Sequence, residues 1–543
     1  MFDTLIKNGT IADGTGKRRY GADVGITKGS IEAIGSLAGA ETARTIDATG
    51  LIVAPGFIDM HSHSDTTMLT DPGGDSKAYQ GVTTEVTGNC SSSPYPVAAD
   101  PHLAEYQRST WPFLKPGWDW TDLDGWAEFT NSSGISLNIA PQVGQGEIRK
   151  AVGLNQDRPP TTDEMKQMRR LATEAMEQGA FSLSTGLTIV PSSFASTDEL
   201  VELTEAIAQF EGAFYVTHAR WRTDDHTDAA KEAVEIGRRA GVPVQFSHMA
   251  IIDPRAHGDG ARMVAVFDRA REEGLDATYD MYPYIAAGSG VGQLLPEWSM
   301  EGGNQEVVRR LRDPETRRRI ANETVKGFFD GTPIPWDTYM VSDAFTAANA
   351  GNIGRTVAEI AKTRGGDVLE TALTLMIEEG GDVPTTVFNR DEGDVRFFMG
   401  HEAAMFGSDG YAFSPTGPLA TASGDHQASH VSGKPHPRNY GTFPRVLGRY
   451  VREQQVLSLE IAVQKMTGLP AQRLRLKDRG RVEQGFVADL TLFDPDTVID
   501  RATFDEPSQF PDGIPYVFVA GEAVIFEGKH TGATPGRVLR RGE

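Results

Sequence analysis

Apolar and polar positions change texture twice along this chain. Near the start, short apolar runs at 3–6, 22–26 and 31–34 are punctuated by the turn pairs Asn8-Gly9 and Lys28-Gly29. That spacing predicts small antiparallel strands joined by tight turns. The far end repeats it at 485–494 and 516–524. Two β-rich ends around a different middle predict one small β-sandwich built from both termini, over 1–55 and 480–543.

The middle, 56–479, alternates two periods. Strand patterns at 135–140, 180–184, 214–218, 242–248 and 276–282 are separated by helical patterns at 163–178, 197–211, 227–239 and 261–273. Gly179, Gly212, Gly241 and Gly274 stand just past the four helices, where a left-handed cap is wanted. Repeated strand-helix units imply a parallel sheet, and their number predicts an α/β protein with a closed, TIM-like (β/α)8 barrel. The stretch after Tyr284 is too long for a crossover and carries charged helical patterns at 304–312 and 315–329. It predicts a long insertion between strands 7 and 8, about 285–400, near the barrel mouth where loops host function. A second excursion, 101–126, carries Trp111, Trp118, Trp120 and Trp126. It is either a flap with its own small core or the wall of a substrate pocket.

The 543 residues exceed the roughly 250 of a typical barrel, which leaves room for these additions. Acidic residues outnumber basic ones, 75 to 52, for a net charge of -23. That balance argues against nucleic acid or an anionic membrane as the main partner, since both demand a basic face. Cys90 is the single cysteine, which rules out an intrachain disulfide. The N-terminus lacks the pattern of a signal peptide, and no apolar run approaches the ~18 residues of a membrane span. The expectation is a cytoplasmic protein acting on a small molecule, with homo-oligomerisation left open.

Candidate chemistry gathers where the strands end. The apolar run 51–56 leads into Phe57-Ile58-Asp59-Met60-His61-Ser62-His63, and residues two apart on a strand point the same way. Two imidazoles aimed at one point suggest a metal. Cys90 after strand 2, His218 after strand 5, His248 after strand 6 and Asp409 after strand 8 add the thiolate, imidazole and carboxylate groups that bind zinc. In barrel enzymes the active site is assembled from such strand ends.

The Ala54-Pro55-Gly56-Phe57-Ile58-Asp59 lead into His61 and His63, the Gly81-Val82-Thr83-Thr84 run before Gly88-Asn89-Cys90, and Ser408-Asp409-Gly410 resemble the amidohydrolase superfamily. Ser184-Thr185-Gly186-Leu187, Asp280-Met281-Tyr282-Pro283-Tyr284 and 439–445 are similar to the N-acyl-D-amino-acid deacylases (D-aminoacylases) within it. The resemblance covers almost the whole chain. It implies zinc-dependent hydrolysis of a linear amide. Cys90, His218 and His248 would hold a tight zinc. His61, His63 and Asp409 would border a second, weaker metal position. Asp409 would be the general base, and Tyr282 and Ser289 would meet the substrate. No lysine stands in 181–187 where many amidohydrolases bridge two metals with one.

Three departures touch the substrate's surroundings. Gln145 stands where the deacylases carry a histidine after strand 3, so the donor to the reacting carbonyl would be an amide. Thr188-Ile189 replaces a tyrosine. Ala250 replaces a lysine that meets the substrate carboxylate, and Arg220 is the candidate substitute cation. Arg220 is equally well read as a rim salt bridge with Asp224 or Asp225. Two rival functions are a cyclic amidohydrolase of dihydroorotase or hydantoinase type and an inactive barrel used as a scaffold. The missing bridging lysine counts against the first, and the complete ligand set against the second.

Overall fold

The computed structural model describes residues 1–109, 111, 119–221, 225–326, 332–421 and 433–543; Trp118 and Asp224 lie outside them. Parallel strands close a barrel: β1 (Phe57–Asp59), β2 (Val82–Thr87), β3 (Asn138–Pro141, continued by Val143–Gly144), β4 (Ser182–Gly186), β5 (Phe214–His218), β6 (Val244–Phe246), β7 (Ala277–Met281) and β8 (Ala404–Phe406). Each pairs in parallel with the next. The Met60 N–H donates to Phe406 O at 3.2 Å and closes the ring. Inside, Ile58, Val86 and Met405 pack with Phe181 and Phe214, which lie at the strands' N-terminal ends, and with Leu539 of the C-terminal tail. The interior is therefore a packed core, and only the C-terminal mouth is free to hold chemistry.

The helices around the barrel follow from pattern and caps. Helix Thr162–Glu177 starts in a capping box between Thr161 and Glu164 and buries Met165, Met168, Ala172 and Ala175 on one face. Helix Asp228–Ala240 ends on Gly241 at φ 73°.

Strands from both chain ends form one continuous nine-stranded sheet rather than two separate layers. Its edge strand Ser30–Gly35 returns to the 486–488 segment, where Ile31 N–H donates to Phe486 O, so the sheet curls around a single core. Lys28 and Gly29 both have positive φ and form the expected tight hairpin turn. Asn8-Gly9 does not turn the chain. Phe2–Ile11 is one strand, with Asn8 at φ 61° where the register shifts between Ile6 and Gly9, a bulge in place of a hairpin.

The long insertion has its own core. Strands Ala287–Gly290, Tyr339–Val341 and Pro384–Val387 form an antiparallel sheet, and helices Asn304–Arg312, Pro314–Lys326 and Val368–Glu378 bury Val307, Leu311, Ile320, Leu373 and Met376 with it. Helix Glu392–Gly400 instead sends Val395, Phe398 and Met399 into the main core, beside helix Gly260–Glu272. It is the barrel's own helix between β7 and β8, so the insertion gives way to the barrel before residue 392. Among the described residues no helix is long and apolar enough to cross a membrane.

Candidate metal centre and active site

His61 and His63 follow β1, Cys90 follows β2, His218 ends β5, His248 follows β6 and Asp409 follows β8. Cys90, His248 and Asp409 sit at φ 53°, 38° and 51°, a left-handed backbone that non-glycine residues rarely adopt. Strain of this kind persists where surrounding structure over-determines it, commonly at functional sites. The Cys90 loop lies directly on β3 and β4. A Cβ at Gly144 would stand 2.2 Å from Ser91 O, and one at Gly186 would stand 2.5 Å from Cys90 O. Only glycine at both positions lets the thiol reach the mouth.

Two donor groups share Cys90: Cys90 with His218 and His248, and Cys90 with His61, His63 and Asp409. Cys90 Sγ lies 3.7 Å from His218 Nδ1, 3.7 Å from His248 Nε2 and 3.3 Å from His61 Nε2. His248 Nε2 and His218 Nδ1 are 2.9 Å apart. Tetrahedral zinc bonds of about 2.3 Å to sulfur and about 2.0 Å to nitrogen separate sulfur from nitrogen by ~3.6 Å and nitrogen from nitrogen by ~3.3 Å. The first group matches this to within a few tenths of an ångström, so these residues fit a zinc ion. Their outer partners are in place as well. Thr188 Oγ1 holds His218 Nε2 at 2.6 Å, and Asp280 Oδ1 accepts the His248 N–H at 2.8 Å while standing 3.3 Å from His61 Nδ1. The Thr188 contact fixes the orientation of the His218 ring, and the Asp280 bond, to the His248 backbone N–H, fixes that segment.

The electrostatics agree. Burial opposes ionisation of Cys90, but the charge of His61 and hydrogen bonds from His218, His248 and His61 hold the thiol well below its ordinary range. Burial would also lower His63, yet the Asp409 hydrogen bond and Cys90 raise it to about 9. Burial pushes Asp409 up, and Arg438, His248 and His63 overcome it to keep the carboxylate ionised. Two anions face a cluster of imidazoles, an arrangement that a divalent cation satisfies directly.

A buried polar layer supports this site from below. Lys77, 0% exposed, donates to Asp59 Oδ2 at 2.7 Å and to Ser408 Oγ, and lies 3.3 Å from Glu85 Oε1. Asp59 Oδ1 accepts the Ser408 N–H at 2.7 Å, and Glu85 Oε1 accepts from Ser62 at 2.6 Å and Ser64 at 2.8 Å. One ammonium thus ties together the segments that carry His61, His63 and Asp409.

Comparison with known proteins is consistent with this geometry. A model described as "Amidohydrolase family" matches residues 44–364 and 421–525. The chain belongs to the amidohydrolase family. This amidohydrolase is 35% identical over 542 residues to the N-acyl-D-glutamate deacylase of Alcaligenes xylosoxydans xylosoxydans, covering 99% of this chain and 97% of that protein. It is 33% identical to the D-aminoacylase of the same organism, covering 99% and 98%. The crystal structure of N-acyl-D-glutamate deacylase from Bordetella bronchiseptica, complexed with zinc and a phosphonate inhibitor, superposes with a TM-score of 0.81 at 31% identity, covering 99% of each chain.

Above the two donor groups, this amidohydrolase has a cavity of about 510 Å³ between the barrel mouth and the insertion. Tyr282 and Ser289 line it, and the guanidiniums of Arg390 and Arg438 lie 4.0 and 4.9 Å from the centre of the Tyr282 ring. Trp111 also lines it while stacking on Trp120, so the tryptophan excursion serves both as a flap core and as a pocket wall. Arg220 does not reach the cavity. Its guanidinium donates to Ser193 O at 2.9 Å and Ala195 O at 2.8 Å, with Glu232 at 3.4 Å. Gln145 is also turned away: Ser192 donates to its Oε1, and its Nε2 faces Glu199 at 3.3 Å. Two arginines unmarked in the sequence do line the cavity. Arg438 donates to Asp409 Oδ2 at 2.6 Å, and Arg390 lies over the Tyr282 ring with its carbon 4.0 Å from the centroid. No ion pair engages Arg390 among the described residues.

Proposed function

We propose that this amidohydrolase removes the acyl group from N-acyl-D-amino acids, using zinc held by Cys90, His218 and His248. The carrying observation is the convergence of one thiolate and two imidazoles beside the Asp409 carboxylate, on a cavity that also presents an uncommitted guanidinium. The solved relative with zinc and a phosphonate mimic of the tetrahedral intermediate supports the same chemistry. His61, His63, Cys90 and Asp409 form a second donor set for a weaker ion.

Cys90, His218 and His248 would hold the zinc, which would supply Lewis acidity toward the amide carbonyl and the attacking water. Asp409 accepts the proton of the attacking water through Oδ1, the oxygen on the side of His61 and His63, while Arg438 holds Oδ2. It returns that proton to the amide nitrogen as the C–N bond breaks, releasing a carboxylic acid and a free amine. Arg390 and the Tyr282 hydroxyl, both on the cavity wall, anchor the substrate carboxylate. Ser289, on the wall strand, adds a hydroxyl within the same cavity.

The test is turnover of N-acetyl-D-amino acids, their L-enantiomers and cyclic amides by protein stripped of metal and reloaded with zinc. Zinc-dependent hydrolysis favouring the D-series is expected. Hydrolysis of cyclic amides alone would replace this proposal with the dihydroorotase or hydantoinase type, and no turnover by zinc-loaded protein would reject it.

A further inference from the structure

A deacylase for acidic amino acids must hold two carboxylates at once, the one on the α-carbon and the one on the side chain. Among the described residues this cavity offers two guanidiniums, Arg438 and Arg390, and the first is committed to Asp409 at 2.6 Å. One uncommitted cation remains for two anions. A carboxylate on the same cavity wall as Arg438 makes matters worse for an acidic side chain. Asp382 lines the cavity and has no cation within ion-pair distance among the described residues.

The placement of Asp382 is fixed by backbone. Its Oδ1 accepts the N–H groups of Val383 at 2.8 Å and Gly292 at 3.1 Å. Its Oδ2 lies where a Cβ on Gly290 would stand, 2.5 Å away, just as Arg438 Nη2 lies 2.9 Å from the Cβ position of Gly288. Gly288 and Gly290 belong to one strand, so these positions face the same side about 6.6 Å apart. Along that wall the cavity runs from the Arg438–Asp409 pair beside the metal ligands to a second, unpaired carboxylate. Asp382 stands on the part of that wall that belongs to the insertion.

We propose that Asp382 is a specificity-determining residue that rejects side-chain carboxylates, so that this enzyme takes N-acyl-D-amino acids whose side chains are uncharged and end in a hydrogen-bond donor. The inference rests on the deacylase reading and names the substrate class within it. Burial raises the Asp382 carboxyl, while the two backbone N–H groups favour its ionised form. Ionised, it repels a side-chain carboxylate and accepts from an amide or hydroxyl. The full-length relative named for N-acyl-D-glutamate therefore differs from this chain in substrate, despite 35% identity.

The decisive pair is N-acetyl-D-glutamine and N-acetyl-D-glutamate, which match in shape and differ in charge. The zinc-loaded enzyme should favour glutamine in kcat/KM by ~10²-fold, as like-charge exclusion at close range implies. Asp382→Asn keeps an acceptor for the Gly292 and Val383 N–H groups and should shrink that ratio at least ~10-fold; Asp382→Ser provides a second, smaller variant with the same expected direction. Equal or better use of glutamate by wild type, or an unchanged ratio in both variants, would overturn the inference while leaving deacylation intact. Failure to hydrolyse any N-acetyl-D-amino acid would overturn the deacylase reading itself and this inference with it.

Discussion

Arg438 and Asp409 form a buried ion pair in which Nη1 donates to Oδ2 at 2.6 Å, with the two side chains only 9% and 11% exposed. The pair leaves Oδ1 as the oxygen that faces the histidines, hydrogen-bonded to His63 Nε2 at 3.0 Å and lying 3.5 Å from His61 Nε2. The guanidinium therefore determines which oxygen meets the attacking water. Replacing Arg438 with Met should lower kcat by ~10²-fold, comparable to losing a positioned acid-base group, while tight zinc content stays unchanged. Turnover within a few-fold of wild type would show that Asp409 needs no such clamp.

Arg390 is the uncommitted guanidinium in the cavity, and Arg220 is bound to Ser193, Ala195 and Glu232. Arg390→Met should raise KM for carboxylate substrates by ~10–100-fold, the worth of a charge-assisted contact. Arg220→Met should leave KM within about threefold, as expected of a residue outside the cavity. Kinetics on matched carboxylate and carboxamide substrates check both, and a reversed order would return the anchoring role to Arg220.

These contrasts show what was legible in the sequence. That His61, His63, Cys90, His218, His248 and Asp409 come together at the barrel mouth was legible because each lies on or just past a barrel strand. The same logic failed for Arg220 because β5 ends at His218 and strand alternation no longer governs residues beyond it. Gln145 opens helix Gln145–Ala151, so its side chain leaves the strand direction and joins Ser192 and Glu199. Arg390 and Arg438 come from segments that reach the mouth only through tertiary folding, and no spacing marks them. Asp280 stood within a quoted motif, but its contacts with His248 and His61 depend on the neighbouring strands.

Lys77 is shared between Asp59 and Glu85 beneath the site, all three with fully buried side chains. Lys77→Met leaves those carboxylates facing each other without a cation, and unpaired buried charge costs about 3–5 kcal/mol. Urea unfolding should show a loss of that order. An unchanged midpoint would mean the layer is hydrated or rearranges freely.

Lys465 supplies a pH signature away from the metal ligands. Burial lowers its ammonium from 10.5 to about 8, against the opposing charge of Glu402. Between those values the unfolded chain binds a proton that the folded chain does not. Stability should therefore rise as pH increases from about 8 toward 10, by on the order of 3 kcal/mol at full extent. Denaturation curves across that window should show the rise in wild type and its loss in Lys465→Met; a flat profile in wild type would contradict the assignment.

Zinc binding by this chain depends on its sole cysteine, Cys90, as a ligand. X-ray absorption at the zinc edge, on protein reloaded with one equivalent of zinc, tests it most directly because any thiolate in the first shell must be Cys90. The account predicts one sulfur at about 2.3 Å and nitrogen or oxygen neighbours near 2.0 Å, with zinc retention falling sharply in Cys90→Ala. A first shell of nitrogen and oxygen alone, or full zinc retention in Cys90→Ala, would contradict it.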